Sequence, residues 1–153
     1  MGISNTFGIT GSALSAQSIH IDAIAKNMAN SQVVSGTEAG AFRARRPIFA
    51  SMLNSSFEMS SSARSSSMNS RFGESNIAGV KVSRMEESRS PIEKQQMPGN
   101  PLADAEGYVY LSNVNLVEEM AHMMQASRNY QSNIEVLNTS KQLMLRTLTL
   151  GSS

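Results

Sequence analysis

The 153-residue chain contains no cysteine, so disulfides, thiolate metal sites and a cysteine nucleophile are all excluded. The absence also suits a protein that crosses into an oxidising compartment, where a stray thiol mispairs. Tryptophan is missing too, and aromatics make up only 5% of the residues, which leaves no material for a dense aromatic core. Excess charge is lacking: 13 Lys and Arg against 12 Asp and Glu give a net charge of +1, too little for a dedicated polyanion binder. No Lys or Arg precedes Lys26, so the start has no basic leader of a cleavable signal, and no unbroken apolar stretch follows. No run approaches the ~20 apolar residues that a membrane span requires. Met1-Gly2-Ile3-Ser4-Asn5-Thr6 has the form of a myristoylation pattern, but no basic residues flank it to make a membrane patch. A chain of this length forms one domain with a modest core.

What is present is a seven-residue apolar repeat at both ends. Phe7, Leu14, Ile21 and Met28 recur at that period, with Ile3, Thr10, Gln17 and Ile24 as a less regular companion row. Near the other end Leu116, Met123, Tyr130, Leu137 and Met144 form one row, and Met120, Ser127, Ile134, Lys141 and Leu148 the second. Two such rows are how helices bury a narrow stripe against other helices. The first helix is predicted over 4–30, capped by Ser4, weakened by Gly8 and Gly11 and stopped at Asn27, Asn30 and Ser31. The second is predicted from Asn115, with Glu118 three residues on as in a capping box, to Leu148 or Leu150 ahead of Gly151. The predicted fold is mainly α with a small β part. The long terminal helices pack antiparallel as a coiled coil around a central β-rich, extended segment. The domain division is 1–32, 33–111 and 112–153.

The centre reads differently. Phe42, Ile48 and Phe49 lie around Arg43, Arg45 and Arg46, and Pro47 limits this stretch to an edge or irregular strand. Residues 51–70 hold ten serines and no Val or Ile, so the segment 51–75 reads as an extended or flexible insert. Alternation over Gly79–Met85 predicts a strand, and Gly107–Leu111 is a second, short one. Between them Pro98-Gly99-Asn100-Pro101 makes a rigid double turn, with Gly99 free to take φ > 0.

No catalytic constellation emerges. His20 and His122 are far apart in sequence and neither has a metal-ligand spacing, so both read as ordinary packing histidines. The neighbours Glu86-Glu87 and Glu118-Glu119 point in different directions on a strand or helix, as solvated or capping groups. Scattered glycines build no phosphate cradle. The arginine cluster lacks the aromatic platform of a nucleic-acid surface and reads as a set of carboxylate partners. Met120, Met123 and Met124 suit core packing or an adaptable helix–helix interface.

Three stretches carry a resemblance. Asn27, Ala29 and Asn30 stand in Ala25-Lys26-Asn27-Met28-Ala29-Asn30, which resembles the motif ending the first helix of bacterial flagellar rod and hook axial proteins. Arg128, Asn129 and Gln131 stand in the stretch Ala126-Ser127-Arg128-Asn129-Tyr130-Gln131-Ser132-Asn133-Ile134-Glu135-Val136-Leu137-Asn138-Thr139, similar to the matching motif of the second helix. Pro98, Gly99, Asn100 and Pro101 open a stretch through Val109 that resembles a proximal-rod subunit of that family, as does Met144–Gly151. The resemblance spans about 1–50 and 77–151; the serine-rich segment departs from it by its length. It implies a structural subunit that polymerises through its terminal helices into the periplasmic drive shaft, transmits torque and encloses the export channel. It implies export by the flagellar type III apparatus without a cleavable signal. Its partners would be copies of itself, other rod subunits, and the export gate or membrane-ring base. It implies no enzyme activity, cofactor, metal, nucleic acid or small-molecule substrate. The rival readings are another type III-secreted helical interaction protein and a peripheral membrane binder. The dearth of Lys and Arg in the first helix opposes the second.

Overall fold

The computed structural model describes residues 3–53 and 77–151. The serine-rich segment lies, from residue 54 onward, outside the described residues. Helix α1 spans Ile3–Ala29 and helix α2 spans Leu116–Gly151, about 40 and 54 Å at 1.5 Å per residue. Among the described residues five strands lie between them: β1 (Val34–Ser35), β2 (Arg45–Leu53), β3 (Ile77–Glu87), β4 (Lys94–Gln96) and β5 (Tyr108–Leu111). β2 and β3 form one antiparallel sheet; β1, β5 and β4 form another, with β5 in the middle.

Local chemistry sets the boundaries. α1 has no proline, and it stops where the Asn30 backbone N–H and side-chain Nδ2 both reach the Lys26 carbonyl, at 3.2 and 2.7 Å. α2 starts where Asn115 Oδ1 accepts from the N–H groups of Val117 and Glu118 at 3.1 and 3.3 Å. Pro47 pairs with Met85, which is permitted because a two-stranded sheet leaves β2 a free edge. The 97–103 region is two successive turns, closed by Asn100 N–H to Met97 O and Ala103 N–H to Asn100 O, both 3.0 Å. Each proline sits second in its turn, where its fixed φ fits. Gly99 does not take the positive φ expected of it; Gly107 does, at +81°.

The helices run antiparallel. Gln17 donates to the Ala126 carbonyl at 3.1 Å, and His20 shares a cavity with Glu119 and His122. That register places Ile3 opposite about residue 140. Beyond it α2 continues alone, and every residue from Lys141 to Leu150 is exposed.

The fold class differs from the sequence expectation. The chain is not mainly α with a small β part, and its terminal helices do not form a coiled coil: two helices flank two antiparallel sheets. α1 contacts α2 on one flank and the β2–β3 sheet on another. Its buried positions, Thr10, Ala16, Ala23, Ile24 and Asn27, therefore spread over a wide arc instead of one narrow seam. The heptad repeat records where apolar residues recur, not how many partners a helix has.

Among the described residues, five of the seven buried hydrophobic ones are alanines (16, 23, 41, 44 and 126); the others are Ile24 and Val109. Val109, in the central strand of its sheet, is fully enclosed. Small side chains let the elements approach closely but remove little apolar area from water.

Candidate assembly surface

At the base of the β2–β3 sheet, side chains from outside the sheet grip the backbone. Asn27, 1% exposed, donates Nδ2 to the Arg45 carbonyl and accepts the Arg45 N–H at Oδ1, both at 2.9 Å. Next to it the Ala44 N–H donates to Asn113 Oδ1 at 2.8 Å, and the Ala44 carbonyl accepts from the Ser88 N–H at 2.7 Å. All four backbone polar groups of residues 44 and 45 are thus bonded, by side chains from just before and just after the central segment and by the backbone of Ser88. Asn113 Nδ2 also donates to the Ser90 carbonyl at 3.0 Å.

The three arginines around this point each meet carboxylates. Arg45 pairs with Glu87 at 2.9 Å, Arg46 with Glu118 at 2.9 Å, and Arg43 lies 3.8 Å from Glu38. These pairs are largely exposed and contribute little each. Arg46 also lies 4.0 Å from Glu119, which is 3% exposed. His20, Glu119 and His122 line one small cavity with Arg46 and Asn27, and the His20 ring meets Phe49 edge-on at 5.8 Å. Burial, then the neighbouring His122, pushes the His20 pKa below its ordinary 6.5; Glu119 opposes the shift and Arg46 adds to it. Sequence reading left these two histidines apart. Only the antiparallel register joins them. Among the described residues no group of three His, Asp or Glu side chains could hold a metal ion.

The seam residues fall into two sets. On α1, Ile24 is buried and Phe7, Leu14, Ile21 and Met28 are half-buried. On α2, Met123, Tyr130, Ile134 and Leu137 are half-buried, whereas Leu116, Met120, Met144 and Leu148 are exposed. The row of α2 that is most enclosed passes through Glu119 and Ala126, one position before Met120 and Ser127. Of the motif residues, Asn27 is buried, Asn30 caps α1, and Ala29, Pro98, Gly99, Pro101, Arg128, Asn129 and Gln131 are exposed, with Asn100 half-buried. Asn129 accepts from Gln125 at 3.1 Å.

Exposed apolar side chains concentrate on α2. Leu116, Val117, Met120 and Met124 lie near its start; Leu143, Met144, Leu145, Leu148 and Leu150 crowd its unaccompanied end. Leu148 is 61% exposed and Leu150 78%. A lone globular chain rarely leaves so much contiguous apolar surface in water. Residues 105–150, almost all of α2 and β5, match the family described as the flagellar basal body rod FlgEFG protein C-terminal region. Over 151 residues the chain is 43% identical to the flagellar basal-body rod protein FlgC of Escherichia coli O6:H1, covering 99% of both chains. The chain belongs to the FlgC family of flagellar basal-body rod proteins. The FlgC of Salmonella typhimurium is likewise 43% identical over 99% of both chains. That of Borreliella burgdorferi is 33% identical over 98% of both. As a member of the FlgC family, the chain is a structural subunit of the bacterial flagellar basal-body rod. No helix among the described residues is long and apolar enough to cross a membrane.

Proposed function

We propose that this subunit polymerises through its terminal helices into the proximal part of the rod, where it helps enclose the export channel and transmit torque. The helices, 1–32 and 112–153, act as an inner layer, and the centre, 33–111, as an outer piece. The rows through Phe7–Met28 and Leu116–Leu148 serve as the assembly seam, and the asparagine-rich motifs place the helices on the centre. Neighbours are copies of the chain, other rod subunits, and the export gate or membrane-ring base. The protein reaches the periplasmic rod without a cleaved signal and performs no catalysis.

The observation that carries this reading is the bare end of α2. Leu143, Met144, Leu145, Leu148 and Leu150 are all exposed in the single chain, beyond the reach of α1. A neighbouring subunit that covers them gains burial that the monomer cannot. The test is Leu148→Asp in cells lacking their own copy. The monomer should keep its helix content, because the site is exposed, while basal-body yield and swimming fail. Leu148→Val should retain both. Normal rods with Leu148→Asp would remove the end of α2 from the assembly surface.

A further inference from the structure

The end of α2 is apolar on more than one side. At 100° per residue, Leu143, Met144, Leu145, Leu148 and Leu150 spread over about 220° of the helix circumference. A helix lying on one neighbour needs a stripe of only about 100°. This end therefore calls for a site with two walls.

The chain itself carries such a site elsewhere. Where α1 crosses the β2–β3 sheet, two adjoining clefts of about 460 and 300 Å3 share Ile19 as a common wall. Ala23 and Met85 line the first, rimmed by the ion pairs Lys26–Asp22 and Arg45–Glu87; Ala16, Met52 and Val80 line the second. Ile19, Met52 and Met85 are exposed. Together the clefts follow α1 from Ser12 to Lys26, about 21 Å at the helical rise. The bare part of α2, from Lys141 to Gly151, is about 15 Å long and fits within that span. It cannot enter the cleft of its own chain: α2 is one continuous helix, and its end projects past Ile3, at the opposite end of α1 from Lys26.

We infer that the end of α2 inserts into the cleft between α1 and the β2–β3 sheet of a second copy of this chain. The contact is heterologous, joining two different patches, so it propagates instead of closing into a dimer. One wall is the Ile19 face of α1 and the other is the sheet, which presents Met85 in the first cleft and Met52 in the second. The inference rests on the proposed polymerisation through the terminal helices and names where one of them goes.

The absence of native cysteine makes the test direct. Full-length Leu145→Cys and Met85→Cys chains, distinguished by different tags, are mixed over a concentration series and oxidised. Light scattering reports assembly in parallel. Leu145→Cys mixed with Ser18→Cys, which lies on the exposed face of α1, is the positional control. The expected result is concentration-dependent assembly, with the 145–85 link formed about tenfold more than the control link, a preference worth about 1.4 kcal/mol. Assembly with equal yields of both links overturns the cleft while leaving polymerisation intact. Chains that stay monomeric and unlinked overturn the second copy as occupant, and assembly with other rod subunits remains the reading to test. Leu145→Glu in the otherwise unaltered chain should abolish the assembly seen by light scattering without altering helix content in dilute solution.

Discussion

The side-chain amide of Asn27 and the backbone of Arg45 are joined by two hydrogen bonds of 2.9 Å, one in each direction. The amide mimics a strand neighbour: it offers a donor and an acceptor to one residue, as an adjacent β-strand would. The last turns of α1 are thereby fixed to the first residue of β2.

Removing this amide should weaken the fold well beyond the loss of two contacts. In Asn27→Ala the Arg45 N–H and carbonyl lose their partners in a part-buried place, at a cost of about 2–4 kcal/mol. Asn27→Asp keeps the acceptor but sets a carboxylate against the Arg45 carbonyl, and should be at least as harmful. Urea unfolding measures the stability, and amide exchange at Arg45 should accelerate in step. A loss below about 1 kcal/mol would show that water replaces the amide at no great cost.

The double turn predicts a contrast between two glycines. Gly99 has a φ any residue can take, and nothing lies within 4 Å of where its Cβ would be. Gly107 has φ +81°, with Pro98 Cβ 3.3 Å from the corresponding point. Gly99→Ala should be neutral, and Gly107→Val should cost about 1–3 kcal/mol. Thermal melts of the two variants decide the matter, and equal melts would contradict it.

Gly79 should be as intolerant for a different reason. Its φ is +151°, and a Cβ there would collide with Ser12 Oγ, which accepts the Val80 N–H at 3.0 Å and donates to the Ile9 carbonyl at 2.8 Å. Gly79→Ala must therefore break the bond that ties β3 to α1. We expect about 1–3 kcal/mol of destabilisation and faster exchange of the Val80 amide. Unchanged exchange at Val80 would show that Ser12 rotates away without loss.

His20 gives stability a pH dependence of known sign. Its pKa is lowered from 6.5 in the folded chain, so the unfolded chain binds a proton more readily. Above pH 6.5 the ring is neutral in both states and has no effect. As pH falls below 6.5 the unfolded state is favoured, until the folded ring is protonated as well. Urea midpoints at about pH 7.5 and about pH 5.5 should differ more for the parent chain than for His20→Gln. An identical difference in both would place the pH response elsewhere.

Much of this was legible before the structure. Asn115 shows as a cap, the paired prolines as two turns, and Gly79–Met85 and Gly107–Leu111 as strands, because each feature is local. The carboxylate partners of Arg43, Arg45 and Arg46 are also anticipated from composition. The pairing of β2 with β3 is not, since no local pattern records which strand a strand meets. Nor is the enclosed row of α2: Glu119 and Ala126 do not look like core residues, and they are enclosed because α1 runs close enough for Gln17 to reach a backbone carbonyl. Asn27 reads as a helix-end residue, and only the fold shows that it and Asn113 grip adjacent residues.

That grip has a mechanical side. The two bonds from Asn27 to Arg45 lie side by side, so a load carried from α1 to the hairpin is shared between them, and both must yield together. Asn113 holds Ala44 from the other direction, on the stretch leading into α2. A twist applied to either helix thus reaches the hairpin at its root, residues 44 and 45, through short connections that have almost no slack. The β2–β3 sheet is thus moored at its root to the chain on both sides of the central segment.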